Sequence, residues 1–404
     1  MAYFGETGKD SVKVLDYFAR HGAPCPEDTN PADHIVEVIQ GDGEAQIDWG
    51  GVDSENGVGE DAAEFASPKW FQFKMVLYRL MVQLWRSPDY VWNKINLHIF
   101  AALFSGFTFW KIGDSSFDLQ LRVFAIFNFI FVAPGCINQV QPFFLHNRDL
   151  FETREKTSKT YHWIAFIGAQ IVSEIPYLII CATLYFCCWY FTAGFPVDAR
   201  ISGHVYLQMT LYEFLYTSIG QAIAAYAPNE YFAAITNPLL IGCGLIAMCG
   251  VVVPCAAMPA FWKYWLYYLD PFHHLVGGLL SPVIRDVQVQ CKPEELTLFD
   301  PPAGQTCAQY MADFFLGGSN ATAGPGYIEN GDATAACRYC PFETGAEYAR
   351  TFNINEEYYA WRDTGITALF CISSYALVIL MMKLRSKKTK SARSECALLP
   401  CVAG

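Results

Sequence analysis

Two carboxylates set in apolar sequence, Glu174 and Glu213, are the first residues whose type and place suggest chemistry. Trp163–Phe195 carries no other charge than Glu174, and Ile201–Asn229 none other than Glu213. Exposing a charge to lipid is costly, so such residues face a protein interior or an aqueous path. Proton relay is one use of the pair. Structural hydrogen bonding is the simpler use and is preferred here.

The histidines offer less. Only His273 and His274 adjoin, His98, His146, His162 and His204 are scattered, and no His-Glu-x-x-His occurs, so no metal site is predicted. Gly5-Glu-Thr-Gly8-Lys9-Asp10 looks like the end of a phosphate-binding loop, but its first glycine is too close and Asp10 replaces the magnesium-binding hydroxyl. No complete G-x-x-x-x-G-K-[ST] loop occurs, so this chain alone is expected neither to hydrolyse ATP nor to hold a cofactor.

A third group is the polar segment from Arg148 to Lys159, with Glu152, Arg154, Glu155, Lys156 and Lys159 closely mixed in sign. It joins two apolar runs. A short charged helix there could pass motion on from a soluble partner; the plainer use is a solvated connector with helical charge pairs.

Cys291, Cys307, Cys337 and Cys340 fall in one acidic stretch. An even number of cysteines in an oxidising compartment suggests disulfides, and four allow three pairings, all left open. Cys337-Arg-Tyr-Cys340 lacks the second pair that a zinc site needs. The sequon Asn320-Ala-Thr322 lies nearby and is a glycosylation site if that stretch faces outward.

Membrane helices must position these residues. The chain is 53% hydrophobic and 16% charged, and its uncharged runs are too long for amphipathic helices around a soluble core. Val123–Leu145, Tyr231–Trp262 and Thr364–Met382 carry no charge at all. About 20 apolar residues cross a bilayer as a helix. Six such stretches begin near Trp92, Val123, Trp163, Ile201, Tyr231 and Thr364, which predicts an all-α polytopic membrane protein with six spans.

Charge sets the orientation. The tail from Lys383 holds six basic residues and one acidic, whereas Asp286–Asp363 holds twelve acidic and four basic. Basic flanks mark the cytoplasmic side, so both termini and the 146–161 loop are expected inside and the acidic stretch outside. A seventh span within 254–285 would reverse this and is rejected on charge. The basic tail fixes orientation; no nucleic acid partner is expected.

Along the chain, Ser11–Arg20 reads as a short amphipathic helix, and Asn30 caps a second helix that starts with Pro31. Residues 41–66 form an acidic flexible linker, and 67–86 an amphipathic helix suited to a membrane interface. Spans one to five occupy 87–253. Pro134-Gly135 predicts a kink in span two, and Gly242-Cys-Gly244 predicts close helix packing in span five. Residues 254–285 read as aromatic re-entrant helices, 286–363 as an extracellular disulfide-bearing cap, 364–382 as span six and 383–404 as the cytoplasmic tail.

Several pieces occur in an order that resembles a known family: Tyr3-Phe-Gly5-Glu-Thr-Gly8, Asn30-Pro31-Ala32-Asp33, Trp85-Arg86-Ser-Pro88-Asp-Tyr90, Phe151-Glu152-Thr-Arg154-Glu155-Lys156, Glu174-Ile-Pro176-Tyr177 and Asp270-Pro271-Phe272. Together they resemble the C-terminal half of fungal pleiotropic drug resistance transporters, in the G subfamily of ABC exporters, with spans of the ABC-2 type. The resemblance implies that 1–40 is the remnant of a nucleotide-binding domain and 67–86 the connecting helix. It implies that Glu152, Arg154, Glu155, Lys156 and Lys159 couple the spans to nucleotide-binding domains. It implies that spans two and five line a substrate path at the interface with the other transmembrane half, for which Phe127, Asn128 and Phe131 on span two and Leu240, Gly244 and Leu245 on span five are the candidates.

The expected function is therefore the membrane domain of an exporter of multidrug, xenobiotic or lipid-like substrates. ATP and magnesium are expected on nucleotide-binding domains outside this chain. The expected partners are membrane lipid, an amphiphilic small molecule, those domains and a second transmembrane half; the expected location is the plasma membrane. A non-catalytic truncated membrane interaction protein is the alternative, and a proton-coupled carrier using Glu174 and Glu213 a third reading.

Overall fold

The computed structural model describes residues 12–20, 24–25, 34, 65, 67–317 and 326–398. The chain divides into two units, Met1–Ala66 and Ser67–Gly404. In the first, α1 (Val12–Arg20) is the expected amphipathic helix, with Phe18 buried and Asp16 paired to Arg20 one turn on. Most of the expected 1–40 segment, including the helix capped by Asn30, falls outside the described residues, as do nearly all of the 41–66 linker and Asn320.

The second unit is a helical bundle. In α2 (Lys69–Trp85), Gln72, Val76, Leu80 and Leu84 recur every fourth residue, form one stripe and are buried. That stripe packs along α6, while Trp70, Phe71, Tyr78 and Trp85 stay exposed. α3 (Pro88–Thr108) starts with Pro88 in the first turn, where a missing N–H costs nothing. Its inward stripe is polar at one end and small at the other: Lys94, His98, Ala102, Ser105 and Gly106.

α4 (Ser116–Ile130) and α5 (Val132–Leu150) make one long rod with a break at Phe131. The helix is interrupted at Phe131, three residues N-terminal to Pro134, where a kink was expected. Proline has no N–H to give the carbonyl of Ile130, and its ring crowds that carbonyl, so the ladder lapses before the proline. A five-residue π-helical turn, Phe151–Glu155, continues α5. α6 (Trp163–Ala193) ends at Gly194, whose φ of 79° is left-handed; a Cβ there would lie 2.9 Å from the Lys111 Cα. α7 (Ala199–Tyr226) is capped by Asp198, and α8 (Glu230–Asn237) by Asn229 before it runs into a π-helical segment, Pro238–Ile246.

Among the described residues, three stretches are long and apolar enough to cross a membrane by length and composition: Ser116–Glu155, Trp163–Ala193 and Tyr359–Ser386. The other three expected spans exist as helices with a different character. α3 and α7 are long but bury polar stripes, and Glu230–Ile246 is apolar but short.

Residues 254–285 depart from the expected re-entrant aromatics in one respect. Short helical turns carry the exposed rings of Phe261, Tyr264 and Trp265, but α9 (Pro271–Ile284) is buried along nearly all its length. His274 is buried and reaches Asp363 Oδ1 at 3.1 Å. The tight helix packing also lies elsewhere than expected. A Cβ at Gly242 would meet nothing within 4 Å, and one at Gly244 only an ordinary contact, whereas at Gly277 and Gly278 it would strike Asp363 and Gln208 at 2.3 and 2.6 Å. The close approach is thus α9 against α12 (Tyr359–Leu398) and α7.

Residues 286–358 add what an all-α expectation omits. β1 (Thr297–Phe299), β2 (Tyr327–Ile328) and β3 (Cys337–Cys340) form an antiparallel sheet in the order β1-β3-β2. Of the three pairings open to the cysteines, the structure has Cys291–Cys340 and Cys307–Cys337. The second ties α10 (Cys307–Gly317) to β3, and α11 (Gly345–Arg350) follows the sheet. Strands of two to four residues cannot hold a sheet alone, and the cross-links supply what pairing lacks.

Candidate functional site

The helix ends around Arg148–Tyr161 form the densest polar junction in the bundle. Arg148 is fully buried, and its guanidinium donates to the carbonyls of Ala224 and Ala227 at 2.6 and 2.7 Å and to Asp149. Those carbonyls end α7, where unpaired acceptors and the helix dipole both favour a cation. Arg385 of α12 donates to the same Ala227 carbonyl at 2.9 Å and to Glu152 at 3.3 Å. Lys156 reaches Ser386 Oγ at 2.8 Å.

On the other side, Glu155 accepts from both Arg79 of α2 and the Tyr161 hydroxyl, and Arg79 also meets that hydroxyl at 3.0 Å. Burial and donation to Glu155 push the Tyr161 hydroxyl up, so it stays a donor at neutral pH. Burial works against the charge of Arg79, but Glu155 and Tyr161 together outweigh it and raise the guanidinium further. Gln83 donates to Asn147 at 3.1 Å, and Gln72 accepts from the His162 amide at 2.8 Å. Beneath these bonds Phe151 stacks between Tyr161 and Phe166, with centroids 5.4 and 4.9 Å away. The turn closes with Lys159 at a φ of 50°, unusual for a residue with a side chain.

The five residues expected to couple are thereby divided. Glu152, Glu155 and Lys156 turn inward to α12 and α2; Arg154 and Lys159 are exposed. Thr153, Thr157 and Ser158 return their hydroxyls to carbonyls one turn back, which leaves a short charged surface on a tightly bonded base.

Glu174 and Glu213 lie deeper, and each has a basic partner on α3. Lys94 Nζ stands 3.0 Å from Glu174, both 1% exposed, and Tyr90 donates to the same carboxylate at 2.8 Å. His98 Nε2 stands 3.1 Å from Glu213, both fully buried, and Tyr216 donates to that carboxylate. The other His98 nitrogen is 2.7 Å from the Lys94 carbonyl. A carbonyl can only accept, so this nitrogen carries a hydrogen. Each carboxylate is held in place by two side-chain partners, and the Tyr216 hydroxyl also lies 3.4 Å from His98 Nε2. Lys94 was legible as the only charge between Asp89 and Lys111, four residues from His98 and so on the same helix face.

The expected substrate-path residues do not gather in one place. Leu240 and Leu245 line an apolar cavity of about 440 Å³ with Ile219 and Ile223 of α7 and Phe370 and Leu377 of α12. Gly244 is half-buried beside them. Phe127 and Asn128 are half-buried on α4; Phe131 is exposed at the break and meets Phe127 edge-on at 5.2 Å. None of the three lines that cavity. The contact between α5 and α8, which the sequence did not announce, is polar. Asn237 exchanges hydrogen bonds with Gln141 at 2.7 and 2.9 Å and donates to Asn138 at 2.9 Å. Among the described residues, no cluster of three or more His, Cys, Asp or Glu side chains could hold a metal.

The ABC-2 type transporter membrane family matches residues 71–283. The chain is 70% identical to ABC multidrug transporter G of Aspergillus fumigatus, with 98% of this chain and 30% of that protein covered. It is 49% identical to ABC multidrug transporter H of the same fungus, over 97% of this chain and 29% of that protein. It is 35% identical to the Brefeldin A resistance protein of Schizosaccharomyces pombe, over 95% of this chain and 27% of that protein. The chain thus spans less than a third of the length of these relatives.

Proposed function

We propose that this chain, which belongs to the ABC-2 type transporter family, is the second membrane half of a multidrug-type exporter driven by ATP hydrolysed on other domains. The observation that carries the reading is the junction at Arg148–Tyr161. It binds the ends of α5, α7 and α12 and the flank of α2 into one body, yet presents Arg154 and Lys159 outward. A nucleotide-binding domain that pushes on that surface moves four helices together.

In this reading α3, α4–α5, α6, α7, Glu230–Ile246 and α12 are the six spans. Both termini face the cytoplasm of a plasma-membrane protein, the disulfide domain and a glycosylated Asn320 face outward, and residues 1–40 complete a nucleotide-binding domain. Phe127, Asn128 and Phe131 on one side and Leu240, Gly244 and Leu245 on the other face the second half, where aromatic and apolar walls suit amphiphilic substrates. ATP and magnesium bind the nucleotide-binding domains, and residues 152–159 receive the motion.

The test is efflux from cells expressing the exporter that contains this segment with Glu152→Lys. The expected result is normal surface expression with loss of ATP-dependent efflux, because the reversal removes the acceptor of Arg385 and sets a second cation beside it. Normal efflux overturns the coupling role.

A further inference from the structure

A polar cavity of about 560 Å³ lies at the end of the bundle that carries the disulfide domain, where α7 begins, α9 ends and α12 begins. Both signs of charge line it. Arg200 comes from α7, Arg285 and Asp286 follow α9, and Glu356 and Glu357 precede α12. Among the described residues, none of these five side chains forms an ion pair or a side-chain hydrogen bond. Asp198 also lines the cavity, but its carboxylate is engaged at 2.7 Å by the Arg200 amide as the helix cap. Three separate elements therefore hold two guanidinium groups and three carboxylates around one space without letting them neutralise each other.

The remaining wall is aromatic and apolar. Tyr358 and Trp361 are exposed beside the two glutamates, and Ile201, Pro282 and Ala360 supply apolar surface. His204 meets the Trp361 ring edge-on at 4.6 Å and is itself 3.2 Å from Thr364 Oγ1, which fixes the indole. An indole face beside carboxylates suits an alkylammonium group, and paired guanidinium groups suit a phosphate. Trp361 also stands at the start of the apolar stretch Tyr359–Ser386, and tryptophan at the end of a span lies at headgroup depth.

We propose that this cavity binds a zwitterion carrying both a phosphate and an alkylammonium group, as in a phosphocholine headgroup. The inference rests on the membrane setting of α12 and not on export, so binding here and transport can fail separately. Three free carboxylates against two guanidinium groups leave an excess negative charge, which favours the zwitterion over a purely anionic headgroup.

The test is native mass spectrometry of the full chain in a nonionic detergent, titrated with phosphatidylcholine or with phosphatidylglycerol of the same acyl chains. The expected result is retention of phosphatidylcholine about tenfold stronger, as charge-assisted hydrogen bonds at one end of a ligand provide. The double variant Glu356→Gln with Glu357→Gln abolishes the preference, and Arg200→Gln with Arg285→Gln weakens retention of both lipids, while Arg338→Gln on β3 changes neither. Displacement of bound lipid by soluble phosphocholine assigns the site to the headgroup alone; resistance to displacement assigns it to the intact lipid. Equal retention of the two lipids by the unmodified chain overturns the proposal. So does a preference that survives the glutamate double variant. Should a variant not fold, the preference of the unmodified chain decides.

Discussion

Among the described residues, only one end of the bundle carries covalent cross-links. At the disulfide-domain end, two disulfides and backbone pairs such as Gly345 N to Val287 O at 2.8 Å reinforce side-chain pairs such as Lys292 with Asp118 and Arg122 with Asp114. At the Arg148–Tyr161 end the chain is held by side chains: Arg79 with Glu155, Arg385 with Glu152, and Arg148 on the carbonyls that end α7. Covalent and backbone bonds have few alternative partners. Side-chain ion pairs can exchange partners at little cost where water reaches them. One end is therefore suited to stay fixed while the other rearranges.

The largest effect is expected where the two ends are joined through α3. Glu174→Ala leaves Lys94 buried and unpaired, which costs up to about 5 kcal/mol, and pairing it with Lys94→Met recovers most of the loss. Thermal unfolding of the purified chain, followed by thiol labelling of buried cysteines, measures both. No recovery in the double variant would mean that the pair does more than satisfy itself.

Removing the cross-link Cys291–Cys340 by a double serine substitution frees a loop spanning 49 positions. The entropic model puts that at about 4 kcal/mol. Limited proteolysis should then cut within 292–340 while leaving the helices intact; a uniformly resistant chain would remove the contrast between the ends. Next comes Arg148→Ala, which strips the Ala224 carbonyl of its charged donor, leaves the Ala227 carbonyl to Arg385 alone, and should destabilise by about 3 kcal/mol in the same unfolding assay.

The smaller effects sharpen the comparison. Arg79→Ala breaks a partly exposed pair and should change stability by no more than about 1 kcal/mol. Arg154→Ala with Lys159→Ala should change it by less than about 0.5 kcal/mol, since both side chains are exposed. Efflux in the exporter should nonetheless fall for this pair if they form the receiving surface. Unchanged efflux at normal surface expression would reverse that assignment.

Much of the fold was legible because apolar run length is a local signal. The helices begin and end close to the expected runs, and the break in span two follows from Pro134 alone. The partners were not legible, because they are set by which helix lies beside which. Glu174 and Glu213 stood out in sequence, but Lys94 and His98 look like polar residues near a span's end until α3 is set against α6 and α7. Gly242 and Gly244 carry the local signature of tight packing, yet Gly277 and Gly278 make the contact, because α9 is the helix wedged between α7 and α12. The cysteine pairing and the small sheet were closed to sequence for the same reason: short strands and cross-links depend on contacts distant along the chain.

The break at Phe131 turns the α4–α5 rod into two arms on one pivot. The arm toward the disulfide domain is 15 residues long, about 22 Å at the helical rise. The other, α5 with its π-helical turn, has 19 and 5 residues, about 36 Å. A swing of about 10° at the pivot would carry the tip of the short arm about 4 Å and that of the long arm about 6 Å, by the same rise. Displacement is thereby geared down, and force geared up, between the exposed charged turn and the end that the cross-links hold.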